Sequence, residues 1–273
     1  MVRLYQIIIA GFFIFGTGIL SAGQNTAIVD WRRMELKVSA VSTILEEESG
    51  NTADWQYTAQ RRAEESLFEN FIRSMKKVQV DAYSTAADVI HSDYTKNRRL
   101  YSYYTGMRKS EIRYIEQDVI IEKIFPLFGE DGFMQILFEA GYDTGNFHTY
   151  DRFVHSIVFT GLVVDARGLG KVPAAAPRIF DSNHTLVFSA DMMYLESFRK
   201  WGAVQYTDDL NVRLYEKRVG DNPYRIVAIH DDKLIETDIA ISVEDAQVLL
   251  QKEGSRENLM QGRVVIIMDS LRV

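Results

Sequence analysis

Few residue types in this chain can carry covalent or metal chemistry, and their spacing narrows the choice further. The 273 residues include no cysteine, which removes thiolate nucleophiles, thiolate metal sites and disulfides together. The five histidines are His91, His148, His155, His184 and His230, and no two stand at the helical spacing of a zinc protease. His230-Asp231-Asp232 comes nearest to a metal cluster, and it reads as a solvated turn after a strand. No Gly-x-Ser-x-Gly nucleophile elbow is present. Carboxylate runs such as residues 46–48 read as solvated surface. The pattern implies no cofactor, no metal and no enzyme.

Two stretches have more character. Asp165-Ala166-Arg167-Gly168-Leu169-Gly170 follows a long apolar run. A phosphate loop there would need a helix N-terminus and the full glycine fingerprint, but Lys171-Val172-Pro173 follows, so a tight turn is expected. Asp165 and Arg167 can pair with each other where a buried strand exits, or recognise a ligand. A hydrolase would need them to converge with His230.

The second stretch, residues 93–113, interleaves Lys96, Arg98, Arg99, Arg108, Lys109 and Arg113 with Tyr94, Tyr101, Tyr103, Tyr104 and Tyr114. Arginine and tyrosine are enriched at protein interfaces, which makes Arg98, Arg99, Tyr101, Tyr103, Tyr104 and Arg108 a possible interaction surface. The plainer expectation is a helix whose tyrosines pack inward while its basic residues face water. A net charge of -7 and a pI near 5.4 disfavour nucleic acid as the partner.

The elements that must position these residues follow from periodicity. Residues 27–44 alternate as a strand or hairpin, and 46–51 form a polar turn. Residues 52–77 form an amphipathic helix, with Ala59, Ala63, Leu67, Phe71, Met75 and Val78 on one stripe and Phe68 and Ile72 widening it. A second helical region spans 85–107 with a break near Ser92. Residues 112–127 read as strand closed by Pro126, 133–138 as a short helix or a strand, and 142–150 as a loop. Residues 156–164 read as one strand buried on both faces. Residues 178–189 form a hairpin turning at 181–184, and 192–201 a helix. Residues 212–215 and 224–229 read as strands. A helix capped by Ser242 is expected to end at Gly254, followed by a short helix capped by Ser255 and a buried strand over 264–268. Strands and helices mix without strict alternation, so the class is α+β, a mixed sheet packed against amphipathic helices.

At the N-terminus, Arg3 precedes an apolar stretch of about 14 residues, short of the roughly 20 that a spanning helix needs. Ser21, Ala22 and Gly23 follow it. This predicts a cleaved signal over 1–22 and an exported, periplasmic protein. The remainder divides into an α+β region over 23–118 and another over 119–273, packed as one unit.

Several segments together resemble a known family. They are Val29-Asp30-Trp31, the 59–80 helix with Ala63-Glu64-Glu65, and Phe159-Thr160-Gly161-Leu162-Val163-Val164-Asp165-Ala166-Arg167-Gly168. Pro173 and Pro177-Arg178-Ile179-Phe180-Asp181 continue the pattern, as do Ser242-Val243-Glu244-Asp245-Ala246 and Gly262-Arg263-Val264-Val265-Ile266. In these the chain resembles exported, lipoprotein-like envelope proteins related to the flagellar outer-membrane ring proteins FlgP and FlgT. Asp165, Arg167, Gly168, Pro173 and Pro177 form the family-like turn. The resemblance implies a structural or assembly protein of the envelope, with other envelope or flagellar proteins as partners and no catalytic residues. Leu20-Ser21-Ala22 resembles the start of a lipoprotein signal box, but Gly23 stands where its cysteine would be, so any membrane attachment would run through partners. A periplasmic glycan- or small-molecule-binding module, stacking its ligand on Trp201, Tyr103 or Tyr104, is the alternative.

Overall fold

The computed structural model describes residues 25–45, 51–107, 110–138, 145–150 and 157–272. The expected signal over 1–22, the carboxylates at 46–48, Arg108, Lys109 and His155 lie outside these residues.

The alternation over 27–44 becomes a hairpin of β1 (Thr26–Asp30) and β2 (Glu35–Thr43), with Leu36, Val38 and Ala40 fully buried on one face. Residues 112–127, expected as one strand, instead form a second hairpin. Glu116 adopts a left-handed φ of 53° and reverses the chain between β3 (Glu111–Ile115) and β4 (Asp118–Pro126). β4 pairs along the whole of β2, giving an antiparallel sheet in the order β1-β2-β4-β3. This first sheet therefore runs past residue 118, to Pro126.

Across it lies α1 (Thr52–Ser74), started by Asn51, whose side chain accepts from the Ala53 and Asp54 amides while Asp54 returns the bond. Such a capping box stabilises a helix start by about 1 kcal/mol. Ala40, Ala59 and Ala63 are fully buried, and their small side chains let the helix backbone sit close to the sheet, while Leu67 and Phe71 fill the wider end. Ile72 does not widen the stripe as expected; it is 41% exposed. The second helical region breaks where expected, into α2 (Ala86–His91) and α3 (Tyr94–Gly106), because Thr85 and Asp93 each cap a new helix. The ambiguous apolar stretch at 133–138 is helical, as α4 (Met134–Leu137).

The C-terminal half contains β5 (Leu162–Asp165), β6 (Ile179–Asp181), β7 (Leu186–Phe188), α5 (Leu195–Trp201), β8 (Gln205–Thr207) and α6 (Glu216–Val219). It continues through β9 (Tyr224–Val227), β10 (Ile239–Ile241), α7 (Val243–Leu250), α8 (Glu253–Met260) and β11 (Val264–Ile267). Strands β8-β11-β5-β9 form an all-parallel sheet, and β10-β6-β7 a mixed one, linked by a bridge between Ile229 and Ala240.

Three sequence expectations fail in this half. Of the apolar run expected as strand over 156–164, the described residues 157–164 are strand only from Leu162, because side chains of α8 take the Phe159 backbone: its amide donates to Ser255 Oγ and its carbonyl accepts from Asn258. Residues 212–215 are not a strand. Asn211 accepts from the Arg213 amide and winds Val212–Leu214 into a 3-10 turn that runs into α6. Gly254 does not end a helix; it lies in the first turn of α8, where an added Cβ would come 2.8 Å from Val158 Cγ1. Lys252, rather than Ser255, is the cap.

The described residues thus carry eight α-helices and three sheets, a mixed α+β fold. One apolar core runs through both halves. Trp31 in the β1–β2 turn donates its amide to the Leu271 carbonyl and stands edge-on to Tyr206 at 6.0 Å. Buried Pro173 and Pro177 bracket an extended alanine segment whose Ala175 and Ala176 amides donate to Gln79 and Val80.

Candidate functional site

The structure divides the basic and aromatic stretch at 93–113. Tyr103 and Tyr104 are partly buried and pack against the core. Tyr104 stacks on Phe125 at 5.8 Å and tilts against Phe71 at 5.1 Å, and Tyr103 donates to the Asp131 carbonyl. Burial raises both phenols above their ordinary value, Tyr104 to about 12. Tyr103 still borders a surface recess beside Arg98 and Arg99. Arg98, Arg99 and Tyr101 do lie on the solvent side of α3. The inward-tyrosine expectation therefore holds for Tyr103 and Tyr104, while Tyr94, Tyr101 and Tyr114 are exposed. Lys123 points under it, donating to the Tyr104 carbonyl with its ammonium 4.6 Å from the Tyr104 ring centre, and burial lowers its pKa.

The family-like turn is closed by its own charges. Arg167 donates two bonds to Asp165, at 2.9 and 2.7 Å, and the Gly168 amide donates to Asp269. The Arg167 hydrogen bond holds the Asp165 carboxyl below its ordinary range. Gly168 and Gly170 both adopt left-handed φ, as a tight turn requires, and no helix starts there. His230 turns instead to Asp232 at 2.8 Å, both largely exposed. No hydrogen bond joins it to Asp165 or Arg167, so the three residues of the hydrolase reading do not form one constellation. Among the described residues no group of three or more His, Asp or Glu is placed to hold a metal.

Two of the recesses among the described residues border the C-terminal half. One lies on the face of the parallel sheet covered by a small cluster of Val163, Tyr215, Val219, Val265 and Ile267. Beside it Leu210 and Val227 border a cavity of about 250 Å³ and are 54% and 70% exposed.

The other is a cleft of about 340 Å³ where the two halves meet. The β1–β2 turn brings Arg32, Arg33, Met34 and Glu35 to one side, with Pro126 and Phe128 from the end of β4. The end of α5 brings Lys200 and Trp201, and α6 brings Lys217 and Arg218. The loop after β4 is tied to α5 by the Gly129 amide, which donates to the Arg199 carbonyl. Gly202 ends α5 at φ +77° and ψ 176°, a region only glycine enters freely, and an added Cβ would lie 2.7 Å from Phe128.

Arg218 is 4% exposed. It donates to the carbonyls of Trp201 and Gly202, each at 2.8 Å, and lies 4.6 Å from the centre of the Trp201 ring. Among the described residues no carboxylate pairs with it and its Nε has no partner, and burial pulls its pKa down to about 9. Trp201 donates its indole N–H to the Gln261 carbonyl and also meets Lys200 at 4.9 Å. Sequence reasoning named Trp201 but missed the cations around it. Their only trace is a set of basic pairs, Arg32-Arg33 beside Trp31, Arg199-Lys200 beside Trp201, and Lys217-Arg218.

The fold and these recesses define an α+β protein whose second half holds a complete parallel sheet. That half is similar to a known domain: the family model described as Treponema pallidum Tp0624, second domain, matches residues 161–270. The match opens one residue before β5 and closes after β11, so it takes in the whole parallel sheet. No curated protein sequence matches the chain. No helix among the described residues is long and apolar enough to cross a membrane.

Proposed function

We propose that this protein is an exported, non-enzymatic component of the cell envelope that presents docking surfaces to other envelope proteins, in an assembly tied to the flagellum. The observation that carries this reading is the recess beside β9. Parallel sheets are ordinarily covered on both faces, yet here Leu210 and Val227 face water beside a thinly covered face. An apolar surface left in water is where a protein partner gains most from burial. The resemblance to FlgP and FlgT supports the envelope setting, and its most specific segments, 159–168 and 173–181, lie in the same half.

Immuno-electron microscopy of the tagged protein in flagellated cells tests the reading. Label concentrated at flagellar bases is expected, and Leu210→Glu with Val227→Glu should disperse it while leaving circular dichroism unchanged. Label spread evenly through the envelope would remove the flagellar assignment. A second reading, a binding module for a small molecule or glycan, is favoured by the Trp201-lined cleft.

A further inference from the structure

The cleft between the two halves differs in charge from the rest of the molecule. The chain carries a net charge of -7, yet the cleft is lined by five cations, Arg32, Arg33, Lys200, Lys217 and Arg218, against one carboxylate, Glu35. Arg32 has a partner, Asp208 at 2.8 Å, with both side chains half exposed. Arg33, Lys200 and Lys217 make no ion pair with any described residue and are exposed, so each keeps its charge free towards the opening.

Arg218 is the unusual member. A buried guanidinium costs several kcal/mol of desolvation unless an anion or a full set of acceptors compensates it. Here two carbonyls at the end of α5 supply part of that compensation, since a helix C-terminus carries about half a negative charge. Among the described residues its Nε remains without a partner and no carboxylate pairs with it. A full negative charge is missing from the site, and the neighbouring cations make the deficit larger.

We propose that this cleft binds a small multivalent anion, a phosphate ester or a polycarboxylate, with Arg218 and the flanking lysines as its counter-charges. The volume suits a small molecule, as ligand cavities start at roughly 300 Å³. Guanidinium groups match the paired oxygens of phosphate and carboxylate alike. Several separate cations call for more than one negative charge, which excludes a simple monocarboxylate. Met34, Pro126, Phe128 and Trp201 supply an apolar wall against which the ligand's carbon frame can lie. Junctions between structural units are common places for such sites. This binding goes beyond the docking role and concerns another surface, so either assignment can fail without the other.

Calorimetric titration of the full chain with pyrophosphate and with citrate, against acetate at matched ionic strength, tests the proposal. Saturable one-to-one binding of pyrophosphate or citrate is expected, with acetate giving none. The tighter of the two tells whether the natural ligand is a phosphate ester or a polycarboxylate. Lys200→Glu with Lys217→Glu alters only exposed side chains and should weaken binding about tenfold or more. Trp201→Phe should reduce the change in tryptophan fluorescence on binding, Trp31 and Trp55 remaining. Arg218→Lys serves as a third variant if it folds. Heats that track ionic strength alone, or binding undiminished by the double lysine variant, would overturn the proposal.

Discussion

The guanidinium of Arg218 forks across the end of a helix that is not its own, donating to the carbonyls of Trp201 and Gly202 at 2.8 Å each. It thereby joins α6 to α5 at the back of the basic cleft. Arg218→Met leaves both carbonyls without their donor, which outweighs the relief of unburying a charge. A loss of about 1–3 kcal/mol in urea denaturation is expected. Arg218→Lys should recover only part of it, because one ammonium cannot reproduce the planar fork. A methionine variant as stable as the parent would show that the two bonds contribute nothing net.

Gly202→Ala should be more disruptive than its size suggests. The backbone there is in a region costing other residues about 1–3 kcal/mol, and the new methyl would meet the Phe128 ring. Because Phe128 lines the cleft, the variant should lower Tm and weaken anion binding together. Thermal melts and the same titration check both.

The Asp165–Arg167 pair predicts a pH dependence. Bonds from Arg167 hold the folded Asp165 carboxyl below its ordinary value of 3.8, so the folded state binds this proton less readily than the unfolded chain. The pair's contribution is therefore present above that ordinary value and is lost as pH falls through the lowered one. Asp165→Asn should flatten the acid side of the stability curve. Urea melts from neutral pH down to pH 3 measure this, and an unchanged acid slope would contradict it.

Phe71 sits where α1, β4 and α4 meet, with ring centres of Phe125 at 4.3 Å and Phe133 at 6.4 Å. It is fully buried. Phe71→Ala should cost about 3–5 kcal/mol, and equilibrium unfolding should show it.

How much of this was legible in the sequence depended on whether the signal was local. The stripe from Ala59 to Phe71, the break at Ser92 and the hairpin around Asp181 all rest on neighbours in the chain, and all three formed, though α1 ends at Ser74, short of the expected residue 77. Asp181 shows why: one of its carboxylate oxygens accepts the amides of Asn183 and Thr185, a turn written within five residues. The misreadings were non-local. Residues 157–161 look like strand, but side chains nearly a hundred positions away take the Phe159 backbone. Gly254 looks like a helix stop, yet its missing side chain serves close contact with Val158. The cleft was the least legible of all, because its five cations come from three distant parts of the chain, each a basic pair in the sequence. Each pair alone is indistinguishable from ordinary surface.

The order of strands in the parallel sheet also bears on how the protein is made. β11 lies between β5 and β8, but it is synthesised after every other strand of that sheet. Until it emerges, β5 and β8 have no common neighbour and keep unpaired edges, which in a growing chain invite mispairing. The parallel sheet therefore cannot be completed until that four-residue strand has been made. A chain lacking that strand leaves the slot between β5 and β8 empty.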